Sequence, residues 1–277
     1  MIYENIAIPV FFRRFMLAVL ALSLLAGLGG CADVSRVRGY EAFRKGDYAQ
    51  AREHFEECVR RDATDWKSHY YLGRIALDSD GDPYYARRHL DTAETIRKSL
   101  PESQLAPKPG APQQAVPFPT RQQIADALAE SMYRQGLRER LFHYLRQQAD
   151  EYGSTDDYLR MARYMAALGD RDGAELSYKK AGLIADPTDA RPHLELADFY
   201  DSVGDRAAAL IELRKAYYID PTIKGLADNI RAHGMVPGPT VAIAPEREKP
   251  KIVRPGAEEP KEPQYPASPS AVIPQPQ

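Results

Sequence analysis

Two residue types could carry covalent or metal chemistry in this chain, and both are scarce. There are two cysteines, Cys31 and Cys58, and six histidines, at 54, 69, 89, 143, 193 and 233. A thiolate can attack or be acylated, and closely spaced imidazoles can hold a metal ion. No two histidines fall within one helical turn of each other, so no helical metal-ligand pair is expected. No Gly-x-Ser-x-Gly elbow, P-loop or zinc-protease pattern occurs in the sequence. Cys58 sits where an amphipathic helix needs a small inward residue, which predicts an inert packed thiol. Asp156-Asp157 stand at a helix start, where capping explains them. The residues therefore predict neither an enzyme nor a metal or cofactor site. Cys31 is the exception, because it directly follows an apolar run and two glycines.

Arg13 and Arg14 precede an uncharged stretch from Phe15 to Gly30, a basic segment followed by an apolar one, as in a secretory leader. Sixteen helical residues would span about 24 Å, short of a ~30 Å hydrocarbon core. Leu28-Gly29-Gly30-Cys31 resembles the bacterial lipobox: an aliphatic residue, two small ones and the cysteine that is lipidated. The resemblance implies a diacylglyceryl group on Cys31, cleavage before it, and acylation of the new amine. Two or three acyl chains anchor stably where one does not. An ordinary leader with an incidental cysteine, or an uncleaved anchor helix, is the alternative. Ala32 follows the cysteine and Asp33 comes one position later, which by the same resemblance favours the outer membrane, facing the periplasm. Cys58 would then be the one cysteine without lipid, so stability has to come from packing and not from a disulfide.

The remainder has an ordinary soluble composition, 44% hydrophobic and 27% charged, with a net charge of −2. That balance argues against nucleic-acid binding, since no excess of Lys and Arg exists to displace phosphate counterions. Of 22 prolines, six lie in 98–120 and eleven in 235–277. Proline fixes φ and lacks a donor, so neither segment can be regular helix. The tail also carries equal numbers of Lys/Arg and Glu and little apolar surface, which predicts a disordered, polyproline-like segment.

The helical regions repeat. Gly46, Gly169 and Gly204 each precede an aspartate. A small residue follows at Ala51, Ala174 and Ala209, a large one at Phe55, Tyr178 and Leu213, and a small one again at Cys58, Ala181 and Ala216. The preceding helix has its own small residue, Gly39, Ala162 or Ala197. Two looser copies run through Leu72, Gly73, Ala86, Leu90 and Ala93, and through Leu128, Ala129, Gly136, Leu141, Leu145 and Gln148. Turn glycines at 136, 169 and 204 are separated by 33 and 35 residues. This resembles the tetratricopeptide repeat, with a period of about 34. Small residues let two helices cross closely while large ones fill the groove between pairs.

The expected fold is all-α: a tetratricopeptide-like solenoid of about five hairpins. A capping helix through Ile223, Leu226, Ala227 and Ile230 would cover its last face. The divisions are a leader (1–30), a first repeat pair (31–97), a Pro-rich linker (98–120) looped out while the two halves dock, a second array with the cap (121–234), and a disordered tail (235–277).

In the repeat family, ligands are contacted from fixed outward positions on the first helix of each pair. Projected onto this chain these are Arg36, Tyr40, Arg44, Tyr70, Arg74, Asp126, Glu130, Tyr133, Arg163, Asp198 and Asp201. A solvated helix face is the plain alternative for each. The asparagine-lysine set that clamps chaperone tails is missing. Similar lipoproteins serve in outer-membrane β-barrel assembly, in secretin assembly and as adaptors for cell-wall hydrolases. The expected function is thus an anchored scaffold with protein or peptide partners in an envelope complex. The alternative is an accessory of polysaccharide export or wall synthesis that contacts glycan directly.

Overall fold

The computed structural model describes residues 34–105 and 116–247, and every regular element among them is helical. Each hairpin is set at its turn. Gly169 and Gly204 take φ of +83° and +86°, a region only glycine enters cheaply. The next N–H then reaches back five residues, Asp170 to the Met165 carbonyl and Asp205 to that of Tyr200, both at 2.9 Å. The same aspartates start the second helix, accepting from Gly173 N–H and Ala208 N–H at 3.0 Å.

Five hairpins follow. Helix α1, described over 34–45, pairs with α2 (Tyr48–Arg61), and α3 (Trp66–Ile75) with α4 (Pro83–Ser99). Further along, α5 (Arg121–Arg134) pairs with α6 (Arg138–Glu151), α7 (Thr155–Ala167) with α8 (Arg171–Ile184), and α9 (Arg191–Ser202) with α10 (Arg206–Ile219). The second turn carries one extra residue, which a single π turn, Ala76–Asp80, absorbs at the end of α3.

The small-residue positions read from the sequence are the crossing points. Ala51, Ala174 and Ala209, and likewise Ala181, Ala216, Ala162 and Ala197, are fully buried, and Cys58 nearly so. At Gly73 a Cβ would lie 2.5 Å from Leu90 Cγ, so only glycine permits this approach of α3 and α4. The cap helix forms as α11 (Leu226–Ala232), burying Leu226 and Ile230 on the last hairpin.

The two halves dock. One apolar cluster runs without a break from Ala42 to Leu145, through α1 to α6. Polar ties cross the same seam: Tyr144 hydroxyl donates to Glu94 at 3.0 Å, and Arg134 donates to the Leu77 carbonyl at 2.7 Å.

Two proline-rich boundaries need correction. Helix α4 continues to Ser99, and at the far end of the linker Val116 and Pro119 are buried, so neither end of the linker is looped out. The tail does not leave the body at residue 235. Val241 is buried against α10, Arg214 donates to its carbonyl at 2.7 Å, and Ile243 N–H donates to the Arg214 carbonyl at 3.3 Å. The physical reason is that α11 is short and leaves an apolar strip of α10 that Val241 covers. The leader, Cys31, residues 106–115 and the tail beyond Arg247 lie outside the described residues.

Candidate functional site

The first helices of the hairpins share one face, α3 meeting α5, α5 meeting α7 and α7 meeting α9. This inner face divides into an aromatic end and a charged middle.

At the amino-terminal end lies a recess of about 300 Å³. Tyr40 and Phe43 of α1 and Tyr70, Tyr71 and Arg74 of α3 form its walls, closed by Pro117, Pro119 and Gln123. Aromatic rings set its shape. Tyr71 stacks on Phe55 at 5.0 Å between centroids, with Tyr40 at 5.5 Å and Phe43 at 5.3 Å against its other sides. Burial raises the pKa of both Tyr70 and Tyr71, so both present neutral hydroxyl donors. Arg74 donates to Asp78 at 2.8 Å and to the Tyr70 hydroxyl at 3.3 Å. Burial works against its charge, but Tyr70 and Asp78 outweigh that and keep Arg74 firmly protonated.

The structure thus brings together Tyr40, Tyr70 and Arg74 of the sequence-derived set. Arg36 is drawn away, its Nε donating to Asp65 at 2.9 Å, and Arg44 is exposed at the end of α1. Phe43, Tyr71 and the two prolines were not foreseen as part of this place.

In the middle, each projected charge is met from a neighbouring repeat by a residue outside the projected set. Arg160 donates to Asp126 at 2.6 Å, Tyr164 to Glu130 at 2.9 Å and Arg163 to Glu195 at 3.0 Å. Tyr133 rests against Tyr164, with ring centroids 5.5 Å apart, and stays 38% exposed. Burial raises the pKa of Glu195 against the pull of Arg163. Asp198 and Asp201 are exposed on α9, burial and then Asp201 raising Asp198, while Asp201 holds the His233 ring at 2.9 Å. Much of the charged ladder is therefore engaged within the protein.

Three polar contacts behind this face were not legible as such. Asp157, expected as a simple cap, closes a capping box with Ser154 and is fully buried. It also receives Arg121 at 2.8 Å and the buried Arg160 at 2.9 Å. His69 and His89, absent as a pair along any one helix, meet across the α3–α4 hairpin with Nδ1 atoms 2.8 Å apart. Burial, then His69 and Arg88, push His89 down to about 4. His193 lies 2.7 Å from Glu212, which also accepts from Lys215 at 2.7 Å. Among the described residues no three His, Cys, Asp or Glu side chains converge to hold a metal ion.

Comparison with known proteins accords with this architecture. Residues 37–65 and 190–223 match the tetratricopeptide repeat family, so the first and last hairpins carry that repeat. No curated protein matches the sequence. Among solved structures, the chain is similar to TTC0263, a thermophilic tetratricopeptide protein of Thermus thermophilus. Identity is 21%, over 73% of this chain and 98% of that one, with a TM-score of 0.48. It is also similar to YrrB, a tetratricopeptide protein with an unusual peptide-binding site, at 15% identity over 71% and 89% of the chains and a TM-score of 0.44. For MamA of Desulfovibrio magneticus the values are 14%, 70%, 97% and 0.49.

Proposed function

We propose that this chain is a membrane-tethered scaffold that holds protein partners on the inner face of its repeats, within a cell-envelope assembly. Tetratricopeptide repeats mediate protein–protein interaction, and two hairpins here match that family. The observation that carries the reading is the aromatic recess, where hydroxyl donors and one arginine stand among rings. Tyrosine and arginine are the residue types that anchor interfaces, because they combine large contact area with a polar tip. The anchoring half rests on Leu28-Gly29-Gly30-Cys31 behind a basic and apolar leader. Ala32 after the cysteine favours the outer membrane.

Crosslinking followed by affinity purification of the membrane-extracted protein tests the scaffold. A stoichiometric protein partner, crosslinked to α1, α3 or α5, is the expected outcome. Recovery of glycan alone would overturn it. Mass spectrometry of the membrane-extracted protein tests the tether, with an acylated Cys31 as the new amino terminus expected; a Cys31 carrying no lipid would overturn it.

A further inference from the structure

The aromatic recess already adjoins a proline-rich strand of the protein itself. Val116-Pro117-Phe118-Pro119 lies along α3 with Val116 and Pro119 buried. Tyr71 hydroxyl donates to the Pro117 carbonyl at 3.3 Å, and Phe118 meets Trp66 edge-on with centroids 6.2 Å apart. Lys67 Nζ sits 3.2 Å from the centre of the Phe118 ring. The chemistry is general. A Pro-x-Pro strand is stiff before it binds, and its carbonyls lack partners within the strand. Rings that pack on proline, together with hydroxyls that donate to those carbonyls, therefore hold it at low entropic cost. The recess continues this surface, with Pro117 and Pro119 as one wall and Tyr40, Tyr70 and Arg74 opposite. At about 300 Å³ it is at the small end of ligand sites, suited to a narrow strand.

The sequence supplies a second strand of the same pattern. A β-branched residue followed by Pro-x-Pro occurs at Val116–Pro119, Val236–Pro239 and Ile273–Pro276. The middle copy is placed at the other end of the stack, shortly before buried Val241, with Val236 82% exposed there. The last copy is free of charged residues from Ala271 to Gln277. We propose that Ile273-Pro274-Gln275-Pro276 of the same chain occupies the recess beside Val116–Pro119, so that the tail competes with outside partners for this face. The proposal rests on reading that face as a protein-binding surface.

The reach is sufficient. From Arg247, which donates to the Pro187 carbonyl, to Ile273 is 26 residues. At ~3.1 Å each they can extend roughly 80 Å. Crossing the stack from α9 to α1 takes four inter-helix steps of about 10 Å. Tethering also gives the segment an effective concentration near the millimolar range, so weak contacts suffice.

The test uses the full chain and the emission of Trp66, its single tryptophan, which touches Phe118. A synthetic peptide of residues 265–277 is titrated into the Pro274→Ala/Pro276→Ala chain and into the unchanged chain. The expected result is a shift in Trp66 emission on the variant, with at least tenfold weaker binding to the unchanged chain because its own tail fills the recess. The same peptide with both prolines replaced should not bind. Tyr40→Ala in the receiving chain, its helicity verified by circular dichroism, should weaken binding at least tenfold. Equal affinity for both chains, or no binding to the variant, overturns the proposal. If the peptide fails while a crosslinked partner still maps to this recess, only the tail assignment falls and the scaffold reading stands. A concentration-dependent dimer that dissociates when the two prolines are replaced would overturn occupancy within one chain.

Discussion

At the amino-terminal end of the stack, neighbouring hairpins meet through rings: Phe55, Tyr71, Tyr40 and Phe43 pack within 5.5 Å between centroids. At the carboxyl-terminal end the corresponding space holds Ala197, Leu213, Ala216, Leu226 and Ile230, with no aromatic side chain among its fully packed members. Both ends use the same small-residue crossings, Ala51 with Cys58 and Ala209 with Ala216. Both are also covered by proline-containing strands, Val116–Pro119 on α3 and the stretch around Val241 on α10. What differs is what the fold leaves behind. Rings around a strand leave a recess lined by hydroxyls, whereas the recess of about 260 Å³ near the other end is lined by ionisable groups, His193, Glu212, Lys215 and Glu246. The comparison teaches that the repeat sets the scaffold and the side chains between the small residues decide the chemistry of the recess each end presents.

That contrast can be broken experimentally. The largest effects are expected from Phe55→Ala, costing about 3–5 kcal/mol, set against Ile230→Ala at about 2–5 kcal/mol. Hydrogen exchange should show the first change loosening α1 through α6 together, because one cluster spans them, and the second loosening only α9 to α11. If both spread equally, the division of the core is wrong. Between the ends, Asp157→Ala removes one of the two carboxylates on buried Arg160 and leaves Asp126, so it should cost about 1–3 kcal/mol by denaturant titration. Burial alone would raise the Asp157 carboxyl, but its bonds from Arg121, Ser154 and Arg160 outweigh that and lower it. This contribution is therefore full above the ordinary carboxylate range, ~pH 4, and is lost as pH falls below it.

The ends should also separate on acidification. His89 is pushed down to about 4, so the unfolded chain takes up its proton first. Stability of the first two hairpins is then full above pH ~6.5 and declines as pH drops toward 4, by about 1–3 kcal/mol. At the other end Glu212 is lowered by His193 and Lys215 in spite of burial, so the contribution it makes persists until the carboxylate range is reached. Hydrogen exchange at pH 7 and pH 5 checks this order, and His89→Gln should flatten the amino-terminal response. Gly73→Ala forces Leu90 aside and should cost about 1–3 kcal/mol in thermal unfolding. The smallest change, about 1 kcal/mol, is expected of Tyr71→Phe, which removes the donor to Pro117. Trp66 emission should register it if the strand loosens.

The crossing lattice was legible in the sequence because each position is dictated by the hairpin's own geometry. Gly39, Gly73, Ala129 and Ala162 repeat with the turn and are buried as that geometry requires. The proline-rich segments were misjudged at their edges because their apolar residues, Val116 with Phe118 and Val241 with Ile243, form runs too short to set a helical period. The ladder was partly within reach. Asp126 and Arg160, like Glu130 and Tyr164, are 34 residues apart, the repeat period itself, so equivalent positions of opposite character had to face each other. The histidine pair depended on a hairpin crossing, which spacing along one helix cannot reveal.

The partition of the core into successive clusters has a mechanical consequence. Tension applied through the tail would peel the last hairpin from the stack while the aromatic end stays intact, since among the described residues no apolar cluster joins α1 to α10. Each hairpin that unspools releases roughly 34 residues, about 110–120 Å of contour length. Such a chain would yield in steps, as a shock absorber does, and would keep its grip at the aromatic end longest.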